Sequence, residues 1–200
     1  MKEKTGWIKR DFTMLALLII PVGVAVNFIC GQIAGLLRLP VYLDAIGTIL
    51  VAMLCGPWVG AATGALSNLV AGIINPSGLP FIVVNISVGI VAGILARKHM
   101  FCGWWKCLIS TVIISMITIV VSAPIVVLLY GGITGGGTSI ITAMAMAAGA
   151  NIWTAFFGTE GIFTVLDRII SLVVCKRVIS CIPPRVLIKF QLGIQYIKEE

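Results

Sequence analysis

The sequence predicts an all-α integral membrane protein: a six-helix transmembrane bundle with one further apolar segment, a lid or re-entrant piece, before the last span. Three observations carry that expectation. Of 200 residues, 60% are hydrophobic and 10% charged, where a soluble domain has roughly a quarter of its residues charged; mean hydropathy is +1.14. The apolar residues fall into runs broken by turn residues, most of them near the ~20 residues that cross a bilayer's hydrocarbon core. Of the fourteen basic residues, all but Arg38 and Arg168 gather at the ends of those runs. They are Lys2, Lys4, Lys9 and Arg10 at the start, Arg97, Lys98 and Lys106 in the middle, and Lys176, Arg177, Arg185, Lys189 and Lys198 at the end. A net charge of +7 distributed in this way is a positive-inside signature rather than a nucleic-acid patch.

The elements follow in order. A first span is expected at about 13–37. No small-residue cleavage site follows its apolar run, so it is expected to be retained rather than removed as a signal peptide. Gly23, Asn27, Gly31 and Gly35 recur four apart on it and so share a face, and Pro21 is a candidate kink. The turn from Arg38 to Tyr42 leads to a short second span at about 43–55, with Asp44 near its start as a candidate cap. Gly56-Pro57-Trp58 turns the chain into a third span at about 57–75, which carries its own small-residue face, Gly60, Gly64, Asn68 and Gly72. Such faces let helix backbones approach closely in lipid, where packing holds a bundle together. The plain reading of this one is helix packing; the other is a surface on which the subunit docks or slides.

Asn75-Pro76-Ser77-Gly78 breaks that span. A fourth is expected at about 80–97, with Asn85 in its outer half and Gly89/Gly93 and Ala92/Ala96 pairs further in. Asn85-Ile86-Ser87 has the form of a glycosylation sequon but lies inside an apolar run. A fifth span, about 106–130, ends at Tyr130 before the glycine-rich run 131–138. No lysine follows that run and no phosphate-loop motif occurs, so it reads as a flexible outer hinge. Residues 139–158 are apolar enough for a seventh span, but a seventh would carry Lys176 and Arg177 to the outside, against the charge rule. They are therefore assigned to the lid. The sixth span is placed at about 161–181, with Asp167 and Arg168 towards its outer part, either of them able to snorkel to the surface. One transmembrane domain thus covers 1–185, and 186–200 form a cytoplasmic tail that can lie at the interface as a helix.

Catalysis finds little support. Cys30, Cys55, Cys102, Cys107, Cys175 and Cys181 form no CxxC pair, and His99 stands alone in a basic loop. No nucleophile–base pair, metal set or cofactor motif emerges. The chain is expected not to be an enzyme and to need no cofactor or metal.

The stretch LDAIGTILVAMLCGPWVGAATGALSNLVAGI, with its two short spans joined at Gly-Pro-Trp, resembles the substrate-binding S components of energy-coupling factor (ECF) transporters. So do the six-span plan and the small-residue face on the first span. The resemblance covers about 13–185 and implies a subunit of a prokaryotic plasma membrane with both termini cytoplasmic. It implies capture of a vitamin-like micronutrient from outside, docking on a membrane coupling subunit that carries two cytoplasmic ATPases, and bodily reorientation to release the substrate. The family's docking face usually shows AxxxA on the first span; here the matching face is Gly23, Asn27, Gly31 and Gly35, with Ala34 beside it.

Polar residues held within a membrane are functional candidates by default. Those expected to bind substrate are Tyr42, Asp44, Asn68, Asn75, Asn85, Asn151 and Glu160, with Trp153 and Phe157 offering aromatic faces. A carboxylate-bearing substrate would want a buried cation, and the outer half offers only Arg38 and Arg168, both placed near segment ends. Amides with aromatic rings suit a neutral flat heterocycle: riboflavin, pyridoxine or a nucleoside. A cation such as thiamin fits if Glu160 or Asp44 faces the pocket unpaired. The alternative function is an autonomous carrier or channel driven by an ion gradient. Such proteins keep ionisable groups through the bundle centre, and the second to fifth spans hold only Asp44, at one edge.

Overall fold

The computed structural model describes residues 11–135 and 137–197. Lys2, Lys4, Lys9, Arg10, Lys198, the closing Glu199-Glu200 and Gly136 of the glycine run lie outside the described residues. Every regular element among those described is helical. In order they are α1 (Met14–Leu36), α2 (Ile46–Cys55), α3 (Pro57–Ile74), a 3-10 turn (Pro76–Phe81) that runs into α4 (Ile82–Arg97), and α5 (Trp104–Pro124), extended by one wide turn (Ile125–Leu129). Then come α6 (Gly137–Ala147), α7 (Ile152–Cys181), the single turn α8 (Pro184–Leu187) and a 3-10 turn at Gly193–Tyr196.

Four of these are long and apolar enough to cross a membrane: α1, α3, Pro76–Arg97 and Trp104–Leu129. Two expected spans take a different form. The second is the ten-residue α2, about 15 Å long at 1.5 Å per residue, roughly half a hydrocarbon core. The last is part of the 30-residue α7, on which Glu160, Asp167 and Arg168 interrupt the apolar run. Residues 152–158, assigned above to the lid, are the opening turns of α7; the rest of the lid segment is α6 and the short link after it.

α2 is the centre of the bundle. All ten of its residues are buried, and it packs against α1, α3, α4 and α7. Gly56, at φ 99°, separates it from α3, and Pro57 opens α3 at the position where its missing N–H is harmless. Beneath that turn the buried carboxylate of Asp11 pairs with Arg97 from the end of α4. The chain after α8 does not stand free as an interfacial helix. Leu192 N–H donates to Leu54 O at 3.0 Å, and Leu187, Phe190, Leu192 and Tyr196 pack onto the core.

The small-residue face of α3 is an internal seam with α4. A Cβ on Gly60 would lie 2.5 Å from Ala52 Cβ, one on Gly64 2.5 Å from Asn85 O, and one on Gly89 would run into the Gly60 carbonyl. Glycine is required here because two backbones touch. This is the packing reading of the stripe, whose glycines face neighbouring parts of the same chain. Lipid is left to Leu18, Ile29, Val112, Met116 and Ile162, all exposed.

Gly89→Val therefore forces the α3–α4 seam apart and is expected to lower stability by about 3 kcal/mol or more, at the upper end of overpacking costs. Gly158→Ala, on an open face of α7 with nothing near its added methyl, is expected to gain about 0.5–1 kcal/mol. Thermal unfolding midpoints of the two variants in detergent check both signs.

Candidate functional site

The site is assembled where the loop between α1 and α2 meets α7. Leu43 sits at φ 52°, a left-handed conformation that costs a branched residue about 1–2 kcal/mol. Asp167 holds it there: one carboxylate oxygen accepts from Leu43 N–H at 2.8 Å and Tyr42 N–H at 3.1 Å. Neither Asp167 nor Arg168 snorkels. They are 0% and 3% exposed, and Arg168 Nη1 lies 3.2 Å from Asp167 Oδ2. The reason is the start of the helix. α7 begins at Ile152 rather than at about 161, so Arg168 stands mid-helix instead of near an end.

Tyr42 is tied at its other end to Glu160. Its hydroxyl donates to Glu160 Oε1 at 2.7 Å, and Thr138 Oγ1 donates to the same oxygen at 2.8 Å. Thr164 reaches the second oxygen at 3.5 Å. Burial first, then the Glu160 carboxylate, push the Tyr42 phenol well above its ordinary range, which keeps it a donor. One carboxylate thus joins the loop between α1 and α2, the first turn of α6 and α7 itself.

Deeper in the bundle the amides are paired. Asn85 Nδ2 donates to Asn68 Oδ1 at 2.7 Å. Asn27 Nδ2 donates to Thr48 and Ser67, both at 2.8 Å, while its carbonyl accepts from Gly47 N–H at 2.6 Å. Asn75 caps the 3-10 turn, accepting from Ser77 N–H at 3.3 Å and Ser77 Oγ at 2.7 Å. Asp44 makes no side-chain cap for α2, whose N-cap is Ala45.

Between these groups lies a cavity of about 530 Å³. Of the residues expected to bind substrate, Tyr42, Asp44, Asn68, Asn75, Asn85 and Glu160 line it. Asn151, Trp153 and Phe157 do not: Asn151 is exposed at the start of α7. Trp153 and Phe157 are 43% and 47% exposed and stack on each other at 6.2 Å. The aromatic wall is instead Phe28 and Phe81, the latter stacked on Tyr130 at 5.9 Å.

Gln32, Ser67, Thr118, Ser122, Thr164 and Arg168 also line the cavity and were missing from the expected set. Thr118 and Ser67 bond back to the carbonyl four residues earlier, so in sequence they look like ordinary helix polar residues. Gln32 had a usable signal, an amide inside an apolar run, and so did Arg168 once its helix is given the right start.

The small-residue face of α1, expected to dock on a partner, divides between the interior and the cavity. Gly23 and Asn27 are buried, Gly23 so tightly that an added Cβ would meet Val51 and Thr63 at 2.7 and 2.8 Å. Gly31 and Gly35 border the cavity. The face turns towards α2, α3 and the cavity, so Gly23 and Asn27 offer no surface to a partner.

Residues 15–179 match the family model described as ECF transporter, substrate-specific component. The chain belongs to that family. Comparisons with curated proteins and with solved structures returned no match. As an ECF substrate-specific component, it is the membrane-embedded, transport-related subunit that binds substrate for a multi-subunit transporter, and the cavity lies wholly within the matched span.

Tyr42→Phe removes the donor that joins the loop to Glu160 without changing shape. It is expected to cost about 1–3 kcal/mol, the range for stripping a partner from a buried charged group. Amide hydrogen exchange across Gly137–Ala147 should quicken while α3 and α4 stay protected.

Proposed function

We propose that this ECF component captures a small neutral heteroaromatic micronutrient, a B-type vitamin such as riboflavin or pyridoxine or a nucleoside, from outside a prokaryotic cell. The observation that carries the reading is the cavity. Its volume falls within the roughly 300–1,000 Å³ of small-molecule sites. Its walls combine aromatic faces, Phe28 and Phe81, with the Asn68–Asn85 amide pair, Gln32 and Tyr42. Flat rings stack on such walls, and their hydroxyls and ring heteroatoms bond to the amides.

In this reading both termini are cytoplasmic and the Tyr42 end of the bundle faces outward. The loaded subunit docks on a membrane coupling subunit served by two cytoplasmic ATPases and reorients in the membrane to release its cargo. Of the α1 face, Gly35 is exposed and Gly31 partly so, and these two are the part of it within a coupling subunit's reach. An autonomous carrier would keep ionisable groups through the bundle; here Asp44, Glu160 and Arg168 all line one cavity.

Native mass spectrometry of the full chain in detergent is the test. A neutral heterocycle is expected to survive purification, and Asn85→Ala is expected to weaken its binding about three- to tenfold, the value of one hydrogen bond. In liposomes, uptake is expected only with the coupling subunit and ATPases present. Uptake by the chain alone would overturn the reading.

A further inference from the structure

Among the described residues Arg168 is the one cation on the cavity wall, and its hydrogen bonding is incomplete. It is 3% exposed, and neither Nε nor Nη1 has a hydrogen-bond partner. Leaving donors of a buried charged group unmet is costly, more so inside a membrane protein. Nε and Nη1 are sealed from the cavity, so Nη2, which makes no hydrogen bond either, is the guanidinium nitrogen left to meet an acceptor there.

The charge of Arg168 is already answered. Asp167 Oδ2 lies 3.2 Å from Nη1, without forming a hydrogen bond, and Asp44 is within electrostatic reach. Asp44 and Glu160 share the cavity wall with Arg168; burial raises the Asp44 carboxyl, but Glu160 and Asp167 by themselves already outnumber the guanidinium. A substrate bringing another full negative charge would add to that excess. What Arg168 lacks is acceptor atoms, not a counter-ion.

We propose that Arg168 is a specificity-determining residue of the cavity and donates hydrogen bonds to uncharged acceptors of the substrate, carbonyl oxygens or ring nitrogens of a heterocycle. The inference rests on the binding-subunit reading above and narrows it. The site takes a heterocycle with an acceptor edge and rejects the same heterocycle when it carries a phosphate. Asp44 and Glu160 set the rejection by repulsion, and Arg168 sets the acceptance by hydrogen bonding.

The experiment measures binding to the purified full chain with a panel in matched pairs: riboflavin, pyridoxine and uridine, each beside its 5′-phosphate. At least one neutral member is expected to bind, with its phosphate at least tenfold weaker. Arg168→Gln is expected to weaken the neutral member about ten- to a hundredfold, as loss of hydrogen bonds from a charged donor does. Because Arg168→Gln also leaves Asp167 without its cation, the Asp167→Asn/Arg168→Gln double variant is measured beside it. The Asp167→Asn change keeps a side-chain carbonyl for the loop amides, so the bundle is expected to fold, with a thermal midpoint near the parent's, and binding to stay weak.

Binding restored to the parent's level in the double variant would overturn the proposal, since Arg168 would then be only the counter-ion of Asp167. A phosphate that binds as tightly as its neutral partner, or more tightly, would overturn it too, while leaving the binding-subunit reading intact. A chain that carries nothing through purification and binds no panel member overturns that reading, and this inference with it.

Discussion

The burial of α2 on every side is the constraint from which the rest follows. A helix of about 15 Å cannot reach both faces of a bilayer, yet the end groups of any helix need partners. The chain closes both ends with its own segments. At one end Asp167 accepts the Tyr42 and Leu43 amides and fixes the loop that leads into the helix. At the other, Gly56 turns at once into α3, and Leu192 reaches back to the Leu54 carbonyl. Because the helix starts only at Ile46, the loop before it carries Tyr42 and Asp44 to the cavity wall rather than to the surface.

Inside that frame, hydrogen-bond satisfaction sorts polar residues that look alike in sequence. Asn27 has partners at both ends of its amide, on α2 and α3, and is a strut between helices. Glu160 accepts from Tyr42 and Thr138 and clamps the α1–α2 loop and α6 to α7. Asn75 caps a turn. Arg168 shares the burial of Asn27 and Glu160 but not their completeness, and it differs from other incompletely bonded groups, such as Tyr196, in lining the cavity.

Much of the architecture was legible in the sequence because bilayers punish exceptions. Apolar runs, the Gly-Pro turn and the breaker at Asn75-Pro76 marked α1, α3 and α4 closely, since little else in lipid satisfies a backbone. The region after Tyr130 was harder. α6 ends at Ala147, Gly149 turns the chain at φ 93° and Asn151 stands at the N-cap position of α7 without a side-chain capping bond, but all lie within one apolar stretch whose composition does not change at the boundary. Placing that boundary late displaced Arg168 to a helix end and brought Asn151, Trp153 and Phe157 into a pocket they do not line. The glycines of α1 and α3 were correctly seen as faces, but four-residue spacing names a face without naming its neighbour. Only the close approach of Gly60 to Gly89, and of Gly23 to Val51 and Thr63, assigns the α3 face and the Gly23 end of the α1 face to the interior.

The cavity wall and the bonds that hold α6 share residues. Tyr42 and Glu160 line the cavity and, through Thr138, also hold the first turn of α6 to the bundle. A ligand that bonds to either competes with, or reinforces, the bonds that fix α6. Any free energy by which a ligand strengthens the hold on α6 is returned, by linkage, to the ligand's own affinity. For a substrate-specific subunit of a transporter, such reciprocity needs no distant relay. It follows from placing one carboxylate where the wall, the loop and α6 meet.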